Sequence, residues 1–151
     1  MAIKDELDRL INQIVMSSEN QHEFLLGACQ SGVELTNTQE HILMLLLDSG
    51  RMTNSSLSRE LVVSQAAVTK AVKQLLQKQL IESVKDERDG RIVLFELTEA
   101  GIPIAKEHRH HHELTLMAYD RLFSDFSEDE KNKKISDWLI EANNRAVAIN
   151  M

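Results

Sequence analysis

The sequence predicts a mainly α-helical fold carrying one small β-hairpin. Three observations carry that prediction. Only five glycines and one proline interrupt 151 residues, so little prevents long helices from forming. Apolar residues recur at helical spacing through several separate segments. Residues 80–97 break that period, with two short runs around an Asp-Gly turn. A chain of this length supports one domain with a real core but not two independent ones.

The elements can be justified in order. Residues 5–27 place Leu7, Leu10, Ile11, Ile14 and Val15 at i, i+3, i+4 spacing, the pattern of an amphipathic helix. Residues 29–37 read as a loop punctuated by Ser31 and Gly32. Thr38 is then expected to cap a buried helix over 39–48, stopped by Ser49 and Gly50. A short helix begins at 52–54 and carries Leu57 and Leu61. Ser64 suits the N-cap of a third helix reaching about residue 79, with Val68, Val72, Leu75 and Leu76 on its inner face.

Strands are predicted over 80–85 and 91–97, joined by the turn 86–90. Thr98 should cap a long helix running to about Phe123. Ser127, with Glu130 three residues on, forms a capping box for a last helix that buries Ile135, Trp138, Leu139, Ala142 and Ile149.

Composition narrows the class. The longest apolar run, residues 42–47, is far shorter than the ~20 residues a membrane span needs. The N-terminus has no basic segment leading into an apolar one, so no secretory signal is expected. One cysteine, Cys29, excludes an intramolecular disulfide and fits a reducing cytoplasm. The net charge of −7 conceals an asymmetry: residues 64–91 hold six basic and four acidic side chains, net +2, leaving −9 on the rest. A basic face on an acidic body is compatible with nucleic acid.

Two helices joined at Val62-Val63, a longer helix and a charged hairpin make a winged helix-turn-helix. Its inner stripe binds the third helix to the domain. Ser64, Gln65, Ala66, Thr69, Lys70 and Lys73 are left near the outer N-terminal end, where a recognition helix reaches DNA. Ala66 suits a thymine methyl and Gln65 an adenine edge. Lys70, Lys73, Arg88 and Arg91 suit phosphates, with Arg91 alternatively entering the minor groove. Lysines on a helix usually form a solvated face. Here the same window has helix-turn-helix spacing, no acid between 64 and 79, and an arginine-bearing hairpin directly after.

Asp86-x-Arg88-Asp89-x-Arg91, followed by Leu97-Thr98-x-x-Gly101, resembles the wing and following helix start of the MarR family. The resemblance covers the whole chain. It implies a MarR-type homodimer reading a pseudo-palindrome of double-stranded DNA, with a dimerisation helix and loop over 1–35. The winged lobe then spans 36–98, and C-terminal dimerisation helices occupy 99–151, in one intertwined domain.

Metal-ligand residue types gather in three places: His22 and Glu23 with Cys29; Glu40 and His41; and residues 107–113. Helical residues turn 100° each, so His108 and His112 lie about 40° apart on one face. That i, i+4 pair suits a tetrahedral N/O site for a borderline metal such as zinc. Glu40 and His41 diverge by about 100°, as do Glu107 and His108, which points to two neighbouring sites. A lone histidine is usually an ordinary polar residue, and His110 and His111 read as surface groups.

Residues 37–46, 64–70 and 107–113 further resemble the zinc-uptake repressors of that family, the AdcR/ZitR type. This implies a primary zinc site of Glu23, His41, His108 and His112, and a secondary one of Cys29, Glu40 and Glu107. Arg109 departs from the pattern, where His can stand. Three rival readings remain. A zinc enzyme lacks the glutamate that follows the first histidine in metalloproteases. A regulator sensing an organic ligand, or oxidants through Cys29, shares everything but the metal. A zinc store leaves the winged helix without a purpose.

Overall fold

The computed structural model describes residues 2–19 and 32–150. The predicted continuation of the first helix beyond residue 19, and with it His22, Glu23 and Cys29, lies outside the described residues. The elements run α1 (Ile3–Glu19), α2 (Asn37–Ser49), α3 (Asn54–Leu61), α4 (Gln65–Gln77), β1 (Ile81–Lys85), β2 (Val93–Leu97) and α5 (Gly101–Leu122). After α5 come α6 (Glu128–Glu130), a π-helical turn (Lys131–Ile135) and α7 (Ser136–Asn150). The chain forms two compact units, Met1–Leu114 and Thr115–Met151.

In the first unit, α2, α3, α4 and the hairpin enclose one apolar core. Ile42 and Leu43 of α2, Leu57 of α3, Val68 and Leu75 of α4 and Ile81 of β1 are all essentially inaccessible. Each such side chain stabilises the fold by about 1.5–3 kcal/mol relative to exposure. Val68, Val72 and Leu75 are buried as predicted, while Leu76 is only partly so and Ala71 joins the core.

Several boundaries are settled by side-chain to backbone bonds. Thr38 was the expected cap of α2, but the N-cap is Thr36. Its hydroxyl accepts from the Gln39 backbone N–H at 3.3 Å, and the Gln39 side chain accepts from the Thr36 N–H at 3.0 Å. The spacing Thr36-x-x-Gln39 is a capping box, and it satisfies two donors where a Thr38 cap would satisfy one. Gly50 ends α2 at φ 75°, a backbone that suits glycine. Ser64 caps α4 as expected, accepting from Ala67 N–H at 3.1 Å.

The strands are antiparallel, with Ile81 opposite Leu97 and Lys85 opposite Val93. Met52 extends this sheet through a two-way backbone bridge to Phe95. Thr98 then turns the chain: its hydroxyl donates to Gln79 C=O at 2.7 Å and accepts from Gly101 N–H at 3.1 Å. A Cβ on Gly101 would lie 1.9 Å from the Leu80 carbonyl oxygen, so only glycine lets α5 begin this close to β1.

In the second unit, Ser127 and Glu130 form the predicted capping box. The predicted burial by the last helix is not what the fold shows. Trp138 and Leu139 are half-exposed, and Ile135 and Ala142 only partly buried. Leu10, Ile11, Ile14 and Val15 of α1 are 40–50% exposed as well. These stripes have the right period, yet among the described residues they are largely open to solvent.

Candidate DNA interface and metal centre

The outer face of α4 is polar and accessible. Gln65, Ala66, Thr69, Lys70 and Lys73 are all exposed, as is Ser64 at the cap. The Thr69 hydroxyl donates to Gln65 C=O at 2.8 Å. Asn54, at the start of α3, contacts the same turn, with its amide nitrogen 3.4 Å from Gln65 C=O and its oxygen 3.4 Å from the Thr69 hydroxyl. The two helices of the motif are thereby joined where the recognition helix begins.

The chemistry of the wing follows from its aspartates. Asp86 Oδ1 accepts from the backbone N–H groups of Arg88 (2.8 Å) and Asp89 (3.1 Å), folding the tip back. Asp89 takes Arg91 in a two-pronged pair, Nε to Oδ1 at 3.0 Å and the terminal nitrogen to Oδ2 at 3.1 Å. Hydrogen bonding from the Arg91 side chain, then from its backbone N–H, holds the Asp89 carboxyl below its ordinary range. The same pairing raises the Arg91 guanidinium. Arg88 and Arg91 both remain exposed at the tip. At the wing base, Arg51 Nε donates to Glu96 Oε2 at 2.6 Å, tying the α2–α3 turn to β2.

The metal-ligand types lie on facing stretches of α2 and α5. His108 is buried, only 4% exposed, and its Nδ1 sits 3.5 Å from Glu40 Oε1. His41 and His112 meet edge to face, with ring centroids 5.7 Å apart and planes at 82°. Glu40, His41, Glu107 and His112 are each partly buried. The Glu40–His108 approach crosses the expected division, since Glu40 is of the secondary set and His108 of the primary set, whereas His41 and His112 both belong to the primary set.

Among the described residues no group of three or more His, Cys, Asp or Glu converges as a metal-holding cluster. The primary and secondary sets each lack a member there, Glu23 and Cys29, which lie outside the described residues. The donor types present, imidazole and carboxylate, nevertheless fit a borderline divalent metal. A carboxylate facing one ring nitrogen is also the usual support of a ligating histidine, leaving the other nitrogen to bind.

Two links escaped sequence reasoning. Gln39 Nε2 donates to Gln74 Oε1 at 2.6 Å, joining the start of α2 to α4. Arg109 of α5 pairs with Asp48 at the other end of α2. The first was within reach, since reading Thr36-x-x-Gln39 as the capping box puts Gln39 at the inward N3 position. The second carried no local signal.

Proteins similar to this chain are transcriptional regulators. Residues 35–93 match the MarR family. The transcriptional regulator AdcR of Streptococcus pyogenes is 54% identical over 128 residues, covering 85% of this chain and 86% of that protein. ZitR of Lactococcus lactis is 47% identical over 139 residues, covering 92% and 94%. Among solved structures, Lactococcus lactis ZitR in complex with DNA superimposes with a TM-score of 0.80 at 44% identity, over 96% of this chain and 98% of that one. The same protein, described as a zinc-responsive MarR family member, gives a TM-score of 0.76 at 44% identity, over 95% and 99%. With the winged helix, the Asp-Arg wing and these relatives in agreement over nearly its full length, the chain belongs to the MarR family of transcriptional regulators.

Proposed function

We propose that the protein is a zinc-dependent repressor, binding a pseudo-palindromic operator as a homodimer in the cytoplasm, with zinc as co-repressor of zinc-uptake genes. The observation that carries this reading is the convergence of α2 and α5 at Glu40–His108 and His41–His112. It occurs on the helix whose first turn is bonded to the recognition helix through Gln39 and Gln74. The solved ZitR structures, one of a zinc-responsive protein and one of its complex with DNA, support the same reading.

The ligand sets proposed are Glu23, His41, His108 and His112 for a primary site, and Cys29, Glu40 and Glu107 for a secondary one. Zinc, when bound, would supply a cross-link between the elements that carry these donors. Glu40 orients the buried His108 ring, and the partly buried setting of His41 and His112 limits competition from water. On the output side, Gln65 and Ala66 face base edges, while Ser64, Thr69, Lys70, Lys73, Arg88 and Arg91 hold phosphates. The exposed stripes of α1 and α7 provide the apolar surface that joins two copies. Holding α2 fixed narrows the positions open to α4, which favours the spacing required by successive major grooves. Metal and operator affinities are then linked reciprocally.

The test is an operator-binding titration at buffered free zinc, repeated after chelator. Binding that rises with free zinc and collapses on chelation is expected. Binding indifferent to both overturns the reading and leaves a regulator of another signal.

A further inference from the structure

Arg109 stands between His108 and His112 of α5 and pairs through its terminal guanidinium nitrogen with Asp48 Oδ2 on α2. We propose that this ion pair makes Arg109 a positioning residue, setting the crossing of α5 over α2 that brings His112 to His41. The inference rests on the zinc-dependent reading above.

The geometry has two parts. Asp48 follows His41 by seven residues, two helical turns, so both lie on nearly one stripe of α2 about 10 Å apart along its axis. Arg109 precedes His112 by three residues and sits on the flank of the same face of α5. The pairs His41–His112 and Asp48–Arg109 thus join the same two helices at separate points. A single ring contact lets two helices pivot about it. A second tie, seven residues along α2 and three along α5, limits that freedom and constrains how His41 and His112 approach before any metal arrives.

Burial agrees with a strut. The Arg109 side chain is only 32% exposed, and its Nε is shut away from water among the described residues. The terminal nitrogen thus meets Asp48 while the Nε is enclosed without a hydrogen bond among the described residues, and the side chain is far less exposed than Arg91 of the wing. Preorganisation of this kind contributes to affinity by reducing what binding must order. Asp48 keeps 47% exposure, so the contribution has the modest size of a partly screened pair.

The experiment measures zinc affinity without DNA, by competition with a chromogenic chelator, on the full chain and on Arg109→Gln, Asp48→Asn and the double variant. Each single substitution is expected to weaken zinc binding about two- to fivefold. The double variant should do no worse, because the same ion pair is broken in all three. The thermal midpoint and operator binding of the metal-free proteins should stay at wild-type values. A purely structural role would lower those instead. Unchanged zinc affinity in Arg109→Gln, or additive losses in the double variant, would overturn the proposal while leaving the functional reading intact. A wild-type chain that takes up no zinc overturns both.

Discussion

Gln39 is buried to 3% exposure, and its side chain both closes the capping box of α2 and donates a 2.6 Å hydrogen bond to Gln74 on the recognition helix. One amide therefore gives its acceptor to its own helix and its donor to another. Glu40 and His41 follow it directly, so the turn that carries these two proposed ligands and the link to α4 are contiguous. A short, part-buried bond therefore connects the first turn of α2 directly to α4.

Gln74→Ala leaves the Gln39 amide donor buried without that acceptor. We expect a loss of about 1–3 kcal/mol in stability. The gain in operator affinity between zinc-free and zinc-loaded protein should shrink as well. Denaturant unfolding measures the first and paired operator titrations the second; an unchanged zinc-linked gain would show that α4 is positioned by other bonds.

His108 and His112 differ in what their removal does. His112→Ala trims a partly exposed ring and should leave a folded protein that no longer responds to zinc. His108→Ala opens a void at a buried position beside Glu40 and should also lower the thermal midpoint. Calorimetry of both variants beside their operator titrations checks this, and a normal zinc response in His112→Ala would remove it from the primary set.

On the DNA face, Lys70→Ala and Lys73→Ala should weaken binding to all sequences alike. Removing one phosphate interaction should flatten the slope of log affinity against log salt by about 0.9. An unaltered slope would show that the lysine concerned does not meet a phosphate.

Cys29 would be the soft donor of the proposed secondary set. In a cobalt titration, thiolate-to-metal charge transfer is expected only with the second equivalent per protomer. That weaker event should strengthen as pH rises toward the free thiol value of about 8.5, because metal must displace the thiol proton. Charge transfer in the first equivalent would place Cys29 in the primary site.

The wing pair has a defined pH window. The Asp89 carboxyl is held below its ordinary value by Arg91, so the pair's contribution is fully present above the unfolded value and is lost as pH falls through the lowered folded one. The tip should therefore be unaffected between about pH 5 and 8 and loosen only in stronger acid. Carboxyl-carbon NMR of wild type and Arg91→Ala tests it: the variant's Asp89 should titrate higher, while staying lowered by the residue 91 backbone N–H that the substitution leaves in place.

What the sequence by itself determined was local or periodic. Ser64 before an apolar stripe marked α4, Ser127-x-x-Glu130 marked the capping box, and the aspartates and arginines of the wing marked the hairpin. Each is a relation within one turn or one strand, where the spacing of residue types already specifies the bond. The i, i+4 histidines of α5 were legible for the same reason. Tertiary structure decided what lies between elements. It paired Glu40 with His108 across the expected division into two sites, and His41 with His112 within the proposed primary set. It joined Gln39 to Gln74, 35 residues apart, and Arg51 to Glu96, 45 apart. It left Trp138 and Leu139 half-exposed although their period suits a buried face. Periodicity states which residues share a side of a helix. What that side meets depends on how helices cross, and that follows from packing the whole core at once.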